Sequence, residues 1–215
     1  MTYPPEPWYL GGSLLVSVFR VPTDALPAEF AAGPAPRSIG RHTIVGVAFA
    51  QYLPGGALAY DELLVATPTL HRGRPRVTIP QIWVDSPQSL EGGRALWGIP
   101  KQLAAFERSV IRRAGVADAA SVSATTDEGP IATLRSRVGR ALVPGMCQVA
   151  LPILQSTATG GILSHNRVIG RIRGLRAAWR FAPDGPLGYL AGRTPVASFA
   201  LGDASIVFGM DVRRP

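Results

Sequence analysis

One lysine stands out in a chain whose other basic residues are all arginine. The sequence contains 22 lysines and arginines, and Lys101 is the only lysine among them. A lysine amine can lose its proton and attack a carbonyl carbon, whereas a guanidinium keeps its charge and is a poor nucleophile. Because arginine replaces lysine wherever a positive charge suffices, Lys101 is a candidate for a role that needs an amine. The opposing interpretation is that one lysine survived by chance.

The neighbours of Lys101 favour the chemical interpretation. Residues 92–106 read GGRALWGIPKQLAAF and surround the lysine with apolar side chains. An apolar setting disfavours the charged ammonium, and a neutral amine forms a Schiff base with a ketone or aldehyde. Lys101 is therefore the candidate nucleophile. Trp97 is expected to shape a pocket around it, and Arg94 to act as an electrostatic helper or an ion-pair partner.

A carboxylate pair is the second candidate for chemistry. Asp61 and Glu62 follow Tyr60 in a predicted strand, where alternate side chains point to opposite faces. Tyr60 and Glu62 therefore share one face, while Asp61 and Leu63 share the other. The pattern alone leaves open which face is buried, and a solvated pair is the simpler interpretation.

Other reactive side chains lack the spacing that their chemistry requires. The three histidines form no metal-binding pattern and are expected at the surface. The glycine pairs 92–93 and 160–161 precede no phosphate-binding motif, and Ser156 and Ser164 lie in no nucleophile elbow. Cys147 is the only cysteine, so it forms no internal disulfide, which favours a reducing cytoplasm.

Composition sets the class of protein. The chain has 215 residues, 47% of them hydrophobic and 17% charged, which predicts one globular domain over residues 1–215. The net charge of +8 comes from scattered arginines without a nucleic-acid motif, so no nucleic-acid partner is expected. No secretory signal or membrane span is predicted, because no apolar run is long enough.

The many glycines and prolines predict short strands and turns rather than a helical bundle. Alternation and β-branched residues favour strands, and Pro100 suits the first position of a short helix. Residues 85–87 are interpreted first as a turn, and residues 106–113 fit helix or strand equally. Pro80, Gly170 and Gly174 are candidate bulge positions. The fold class is mainly β, an antiparallel barrel or cone-like sheet with a few short helices. The predicted strands are 13–20, 43–52, 57–66, 76–84, 121–126, 131–137, 167–181, 196–201 and 205–212.

The run WGIPK, preceded by GRAL and followed by QLAAF, resembles the acetoacetate decarboxylase superfamily, whose typical run is G-R-E-x-x-G-x-P-K-K. YDEL at residues 60–63 is similar to the family's Tyr-x-Glu strand, and IWVDS at residues 82–86 to its next strand. The resemblance implies a Schiff-base lysine at Lys101 and a pocket glutamate at Glu62 that moves protons. It also implies a fold that commonly forms homo-oligomers, a small keto substrate, and no metal or organic cofactor.

Several positions depart from the family pattern. Ala95 and Gln102 replace the glutamate of G-R-E and the second lysine. The family's first-strand arginine and another strand glutamate have no counterpart, so Val47 and Phe49 are expected to line the pocket instead. The pocket should then be more apolar and larger than that of the decarboxylases.

Three functional hypotheses follow. The first is a lysine-dependent lyase acting on a bulkier apolar keto acid or polyketide-like carbonyl compound, by decarboxylation, aldol and dehydration chemistry or cyclisation, in secondary metabolism. The second is a cyclase or isomerase pocket that uses shape and Glu62 without a covalent step. The third is a ligand-binding protein without catalysis.

Overall fold

The computed structural model describes residues 3–113, 116–158 and 160–214. In this part of the chain the elements are twelve strands, one α-helix and three short 3-10 helices. The strands are β1 (Trp8–Pro22), β2 (Ser38–Ile39), β3 (His42–Tyr52), β4 (Tyr60–His71), β5 (Arg74–Val84), β6 (Lys101–Leu103), β7 (Ala105–Arg113), β8 (Val116–Thr126), β9 (Gly129–Ala141), β10 (Cys147–Thr157), β11 (Gly160–Phe181) and β12 (Ala197–Arg213). The helices are α1 (Pro87–Trp97) and the 3-10 helices Thr23–Ala25, Ala28–Phe30 and Gly188–Leu190.

The prediction of a mainly β fold with a few short helices is confirmed. Two predicted features of the strands are also observed. The β4–β5 register shifts so that Ile79 and Pro80 lie opposite Ala66 alone, and the register of β11 shifts at both Gly170 and Gly174. The sequence analysis missed β10, whose polar and apolar residues do not alternate regularly, and the ambiguous segment 106–113 belongs to strand β7.

Seven strands form a closed circuit of hydrogen-bonded neighbours, in the order β1, β3, β4, β5, β10, β11 and β12, with β12 paired again to β1. Most pairs are antiparallel, but β5 pairs in parallel with both β6 and β10, which the sequence did not predict. The second half of β11 leaves this ring and pairs with β9, which leads on to β8 and β7. We call the seven strands the ring and β7–β9 the outer sheet.

Two hydrophobic cores result from this arrangement. The inner core receives side chains from all seven ring strands and from α1, and none from the outer-sheet residues whose side chains the structure describes. Its buried members include Trp8, Tyr60, Ile82, Trp97 and Ile153. The outer core lies between the ring and the outer sheet, and its buried members include Phe19, Phe49, Leu63, Val122 and Leu134. Successive residues of a strand therefore enter different cores.

Helix α1, the one α-helix in the described part of the chain, lies earlier in the sequence than predicted. Ser86 is the N-cap, Pro87 is the first helical residue, and Gly98 ends the helix in the left-handed conformation. Residues 85–87 are thus a helix start rather than an isolated turn, and Pro100 follows a helix instead of opening one. No helix among the described residues has the length and apolar character needed to span a membrane.

Candidate active site

Lys101 begins the short strand β6, directly after helix α1. Its backbone pairs in parallel with Ile82 of β5, and its N–H donates to the carbonyl of Ile99. The guanidinium of Arg94, on the last turn of α1, donates through Nε to the Lys101 carbonyl at 2.7 Å. The lysine backbone is therefore held by a strand on one side and by a helix on the other.

The Lys101 ammonium is buried and makes three hydrogen bonds. Only 3% of the residue is exposed, and Nζ donates to Glu62 Oε2 at 2.9 Å, to Ser89 Oγ at 2.8 Å and to Tyr60 Oη at 3.4 Å. An ammonium has three protons to donate. All three have acceptors, so the resting site holds a fully coordinated cation.

Glu62 accepts from both sides of its carboxylate. Oε2 faces Lys101, and the Tyr52 hydroxyl donates to Oε1 at 3.2 Å. Glu62 is as buried as the lysine, with 3% of the residue exposed. A buried carboxylate needs such partners, since it has lost its hydration shell. The pair is therefore electrically neutral, and a proton can move from Nζ to Oε2 along a direct hydrogen bond.

The two tyrosines stay protonated around this pair. Burial, followed by the negative charge of Glu62, raises the pKa of Tyr52 well above its ordinary value, and the same two causes raise the pKa of Tyr60. Their rings lie 4.6 Å apart between centroids. Both phenols are therefore hydrogen-bond donors at every pH at which the protein is expected to work.

Local sequence explains how α1 reaches the lysine. The Ser86 side chain accepts from the N–H of Ser89, which fixes the first turn and directs the fully buried Ser89 towards Nζ. One turn later, the lysine stem passes over Gly93, where a Cβ would lie 2.7 Å from both Cδ and Cε of Lys101. Glycine at this position leaves room for the stem, so the residues of α1 set both the path and the end point of the side chain.

The buried pair lines a small cavity inside the ring, of about 90 Å³. The polar side chains in the cavity wall are Lys101, Glu62, Tyr52, Tyr60 and Asn166, and the rest of the wall is apolar. Its apolar residues are Trp8, Leu10, Leu14, Leu64, Ala66, Val77, Ile79, Ile82, Trp97, Ile99, Leu151, Ile153, Val168, Ile206 and Phe208. The expected apolar character is present. At about 90 Å³, the cavity is smaller than drug-sized ligand pockets, which measure roughly 300–1,000 Å³.

The structure brings together four of the seven residues proposed from the sequence. Lys101, Glu62, Tyr60 and Trp97 line the cavity, with Trp97 packed edge-on against Trp8. Arg94 is exposed and contacts the site only through the backbone carbonyl of Lys101.

Val47 and Phe49 do not line the cavity. Both are buried in the outer core, and Phe49 stacks on Trp179. The reason is strand parity: on β3 the side chains of Ala50 and Tyr52 enter the inner core, so those of residues 47 and 49 point the other way. The tyrosine at position 52 occupies the inward place that we had expected these two residues to fill.

Two residues that contact the buried pair, Ser89 and Tyr52, were not predicted from the sequence. Ser89 follows a Ser-Pro pair, which is a helix-start signal that could have placed it on the first turn of a helix. The alternation of β3 could have put Tyr52 on an inward face, but no pattern predicts that this face meets Glu62. Gln102, at the position of the family's second lysine, is exposed. Among the described residues, no group of three or more His, Cys, Asp or Glu side chains could hold a metal.

Comparison with known proteins agrees with this geometry. The model of the acetoacetate decarboxylase family matches residues 1–152, which include β4, α1 and Lys101. None of the curated proteins matches the chain.

Solved structures of low sequence identity share the fold. The enduracididine biosynthesis enzyme MppR complexed with pyruvate has a TM-score of 0.69 at 18% identity, over 98% of this chain and 90% of that chain. Acetoacetate decarboxylase from Legionella pneumophila has a TM-score of 0.65 at 15% identity, over 100% of this chain and 90% of that chain.

An acetoacetate decarboxylase-like enzyme from Sphingomonas wittichii RW1 has a TM-score of 0.66 at 16% identity, over 99% of this chain and 94% of that chain. The family match covers the residues that build the buried lysine site, and the structural likeness extends over nearly the whole chain. This chain belongs to the acetoacetate decarboxylase family.

Proposed function

We propose that the protein is a lyase-like enzyme that uses Lys101 to form a Schiff base with a carbonyl compound. One observation carries the proposal: the only amine side chain of the protein is buried at an apolar cavity, 2.9 Å from a carboxylate that can take its proton. A nucleophile next to a base within hydrogen-bond reach is the usual arrangement for covalent catalysis.

The reaction begins with a proton transfer. Glu62 takes a proton from the ammonium, and the neutral amine then attacks the carbonyl carbon of the substrate. The carbinolamine loses its hydroxyl as water, with the proton supplied by the Glu62 carboxyl, and an iminium remains. The iminium accepts the electron pair of a breaking bond at the adjacent carbon, and water later releases the product and restores Lys101.

Ser89 and the tyrosines hold the reacting groups in place. Ser89 Oγ and Tyr60 Oη bind two of the three Nζ protons, which leaves the third directed at Glu62. Tyr52 fixes the second oxygen of Glu62. The carboxylate therefore keeps its orientation towards Nζ when its charge changes during the proton transfer, which lowers the cost of reorganisation.

Several reactions use the same iminium: decarboxylation of a keto acid, aldol addition with dehydration, and cyclisation of a larger carbonyl compound. The structural relative MppR belongs to a biosynthetic pathway, and one of its structures holds the condensation product of pyruvate and imidazole 4-carboxaldehyde. That likeness supports carbon–carbon chemistry and a biosynthetic setting for this chain. The small cavity favours a compact substrate over the bulkier one expected from the sequence.

Borohydride trapping tests the covalent step directly. The full-length protein is incubated with a series of ketones and keto acids, reduced, and weighed by mass spectrometry. We expect a single adduct on Lys101 and loss of activity with substrate. Lys101→Arg should form no adduct, since guanidinium does not become a neutral nucleophile. The matched control Arg137→Lys should still form the Lys101 adduct, because residue 137 is exposed on the outer sheet and does not line the cavity. A turned-over substrate without an adduct would overturn the proposal.

A second candidate is a cyclase or isomerase in which Glu62 moves protons and Lys101 stays a cation. The observation that favours it is the complete coordination of the ammonium, since a fully hydrogen-bonded cation is a stable electrostatic partner rather than a nucleophile. Under this reading Lys101→Arg keeps measurable turnover and borohydride leaves the enzyme active. The third hypothesis, a ligand-binding protein without catalysis, is favoured if Glu62 and Lys101 variants change the affinity for a ligand and no reaction is found.

We also propose, from the family resemblance, that the chain forms a homo-oligomer. Large apolar side chains at the surface support this, among them Leu53, Leu142 and Val196, each with more than half of its surface exposed (51%, 60% and 63%). Light scattering coupled to size-exclusion chromatography measures the assembly, and a monomer at micromolar concentration would contradict the proposal.

A further inference from the structure

The charges that line the cavity give its substrate class. Of the described residues around the cavity, only Lys101 and Glu62 carry a charge, and they neutralise each other at 2.9 Å. Two arginines lie near these residues in sequence or in space. Arg94 is exposed and bonded to a backbone carbonyl, and Arg108 pairs with Asp61 at 2.7 Å on the opposite face of β4. Neither faces the cavity.

Most of the uncharged polar groups of the wall already have hydrogen-bond partners. The Asn166 amide donates to the Leu151 carbonyl and to Ser164, and its oxygen accepts from the Gly209 N–H. The indole N–H of Trp97 is the exception: it is buried and has no hydrogen-bond partner among the described residues. Ser89 and both tyrosines already contact Lys101 or Glu62. A substrate carboxylate would therefore meet apolar groups, one neutral indole donor and the Glu62 carboxylate, and no unpaired cation among the described residues.

We propose that the compound forming the Schiff base is an uncharged ketone or aldehyde of short chain length, rather than a keto acid. The inference rests on the Schiff-base function proposed above and names its substrate class. With an uncharged carbonyl compound, the lysine, the glutamate and the substrate together carry no net charge before the proton transfer, after it, and as an iminium next to a carboxylate. The wall never has to hold an unpaired charge.

A keto acid would change the net charge of the site. Its carboxylate adds one negative charge to a neutral pair, so either the cavity buries an uncompensated anion or the site takes up an extra proton from solvent. A buried charge without a partner is strongly disfavoured in an apolar environment. The volume of about 90 Å³ adds a limit on size, because it leaves no room for a long acyl chain.

The chemistry that follows joins or separates two carbonyl compounds. Lys101 Nζ bonds to the carbonyl carbon and one water leaves. A proton on the adjacent carbon passes to Glu62, whose carboxylate is free again at this stage, and an enamine forms. The enamine carbon donates its electron pair to a second carbonyl carbon, whose oxygen takes the proton from Glu62. Water then hydrolyses the iminium and frees Lys101. No carbon dioxide is released, and no oxidant or reductant is consumed.

A shape-matched pair of reagents tests the inference on the full-length protein. Acetoacetate and 4-methylpentan-2-one have the same branched outline, but one ends in a carboxylate and the other in two methyl groups. Both are incubated at pH 8 with cyanoborohydride, and the rate of Lys101 adduct formation is followed by mass spectrometry. Adducts of acetoacetate and of its decarboxylated product are counted together. We expect the ketone to label Lys101 faster by about tenfold or more.

A variant of the cavity wall provides a second experiment. Leu14 lines the cavity from β1, and Leu14→Arg supplies a cation that the natural wall lacks, with Leu14→Met as the neutral control. The arginine variant should raise acetoacetate labelling relative to ketone labelling, whereas the methionine variant should leave the ratio unchanged. The comparison in the unmodified protein decides the question even if the arginine variant does not fold.

The outcomes separate the two proposals. Equal or faster labelling by acetoacetate in the unmodified protein overturns the uncharged-substrate inference and leaves the Schiff-base function standing. An absence of Lys101 adduct with any ketone, aldehyde or keto acid overturns the Schiff-base function, and the substrate inference with it. Faster labelling by 4-methylpentan-2-one supports both.

Discussion

The inner and outer cores differ in what each face of the same strand buries. On β4, Tyr60 and Glu62 enter the inner core, whereas Leu63 enters the outer core and Asp61 pairs with Arg108 at a partly exposed edge. The outer core is built of buried apolar side chains such as Phe49, and the half-buried Trp179 stacks on Phe49 at its margin. The inner core surrounds a buried ion pair and a cavity.

This difference places most of the apolar burial that stabilises the fold in the outer core, and the proposed chemistry in the inner core. The outer core has the composition of a close-packed interior, which contributes free energy of folding through apolar burial. The inner core gives up part of that contribution, because two charges and an empty volume replace apolar contacts. Substitutions in the outer core should therefore change unfolding and spare the site, while those in the inner core should change the site.

The largest effect on stability is expected in the outer core. Phe49→Ala should lower the free energy of unfolding by about 3–5 kcal/mol, because it removes a buried ring and leaves a cavity. Urea denaturation followed by tryptophan fluorescence measures it. Borohydride labelling of Lys101, per folded molecule, should be unchanged. Ile39→Ala, at an exposed side chain, is the control and should change stability by less than about 0.5 kcal/mol. Lost labelling in folded Phe49→Ala would contradict the separation.

Breaking the buried pair is expected to come next. Glu62→Gln leaves the Lys101 ammonium buried without its counter-charge and should cost about 3 kcal/mol of stability at neutral pH. The double variant Glu62→Gln, Lys101→Met removes both charges and should recover most of that loss while remaining inactive. A double-mutant cycle in urea measures the coupling. Simple additivity of the two substitutions would mean that the pair contributes nothing specific.

Tyr52 gives a pH-dependent effect of intermediate size. Its pKa is raised by burial and then by the charge of Glu62, so the unfolded chain ionises this phenol at a lower pH than the folded protein does. The sign follows: the stability contribution is complete below the unfolded pKa near 10 and is lost as pH rises, by about 1.4 kcal/mol per pH unit. Above pH 10, Tyr52→Phe should remove the contribution of one proton, about 1.4 kcal/mol per pH unit, from the pH dependence of the free energy of unfolding.

Urea denaturation between pH 9 and 11 measures the slope. Tyr60→Phe should act in the same direction, since its pKa is raised by the same causes. Tyr9→Phe, at an exposed ring, is the matched control. An unchanged slope in both inner-core variants would mean that neither phenol is protected from ionisation in the folded protein.

The smallest effect on stability is expected at Gly93. Gly93→Ala gains up to about 1 kcal/mol from helix propensity, but its Cβ would contact the Lys101 stem and push the amine aside. Overall stability should change little, while the rate of Lys101 labelling should fall by about tenfold, because a displaced nucleophile reacts slowly. Gly202→Ala, in open space, is the control. An unchanged labelling rate would show that the stem has room to move.

The sequence predicted the two residues of the buried ion pair better than their surroundings. Lys101 and Glu62 were identified from residue type, apolar context and family resemblance, all of which are visible in the sequence. Val47 and Phe49 were assigned to the wrong face because β3 is covered on both sides, so its apolar residues do not alternate with polar ones. Ser89 was missed because its role depends on the rotation of a helix relative to a strand, which no local pattern states.

Both faces of β4 are occupied, and this restricts how the family can diverge. Inserting or deleting one residue between 60 and 62 would turn every following side chain to the opposite face, placing Asp61 or Leu63 at the position of Glu62 and the Glu62 carboxylate in the outer core. Length changes in this strand should therefore be lost, whereas side-chain replacements at inward positions survive. Each inward position of the ring therefore keeps its place in the cavity wall, and new substrate preferences arise by changing the side chain at such a position.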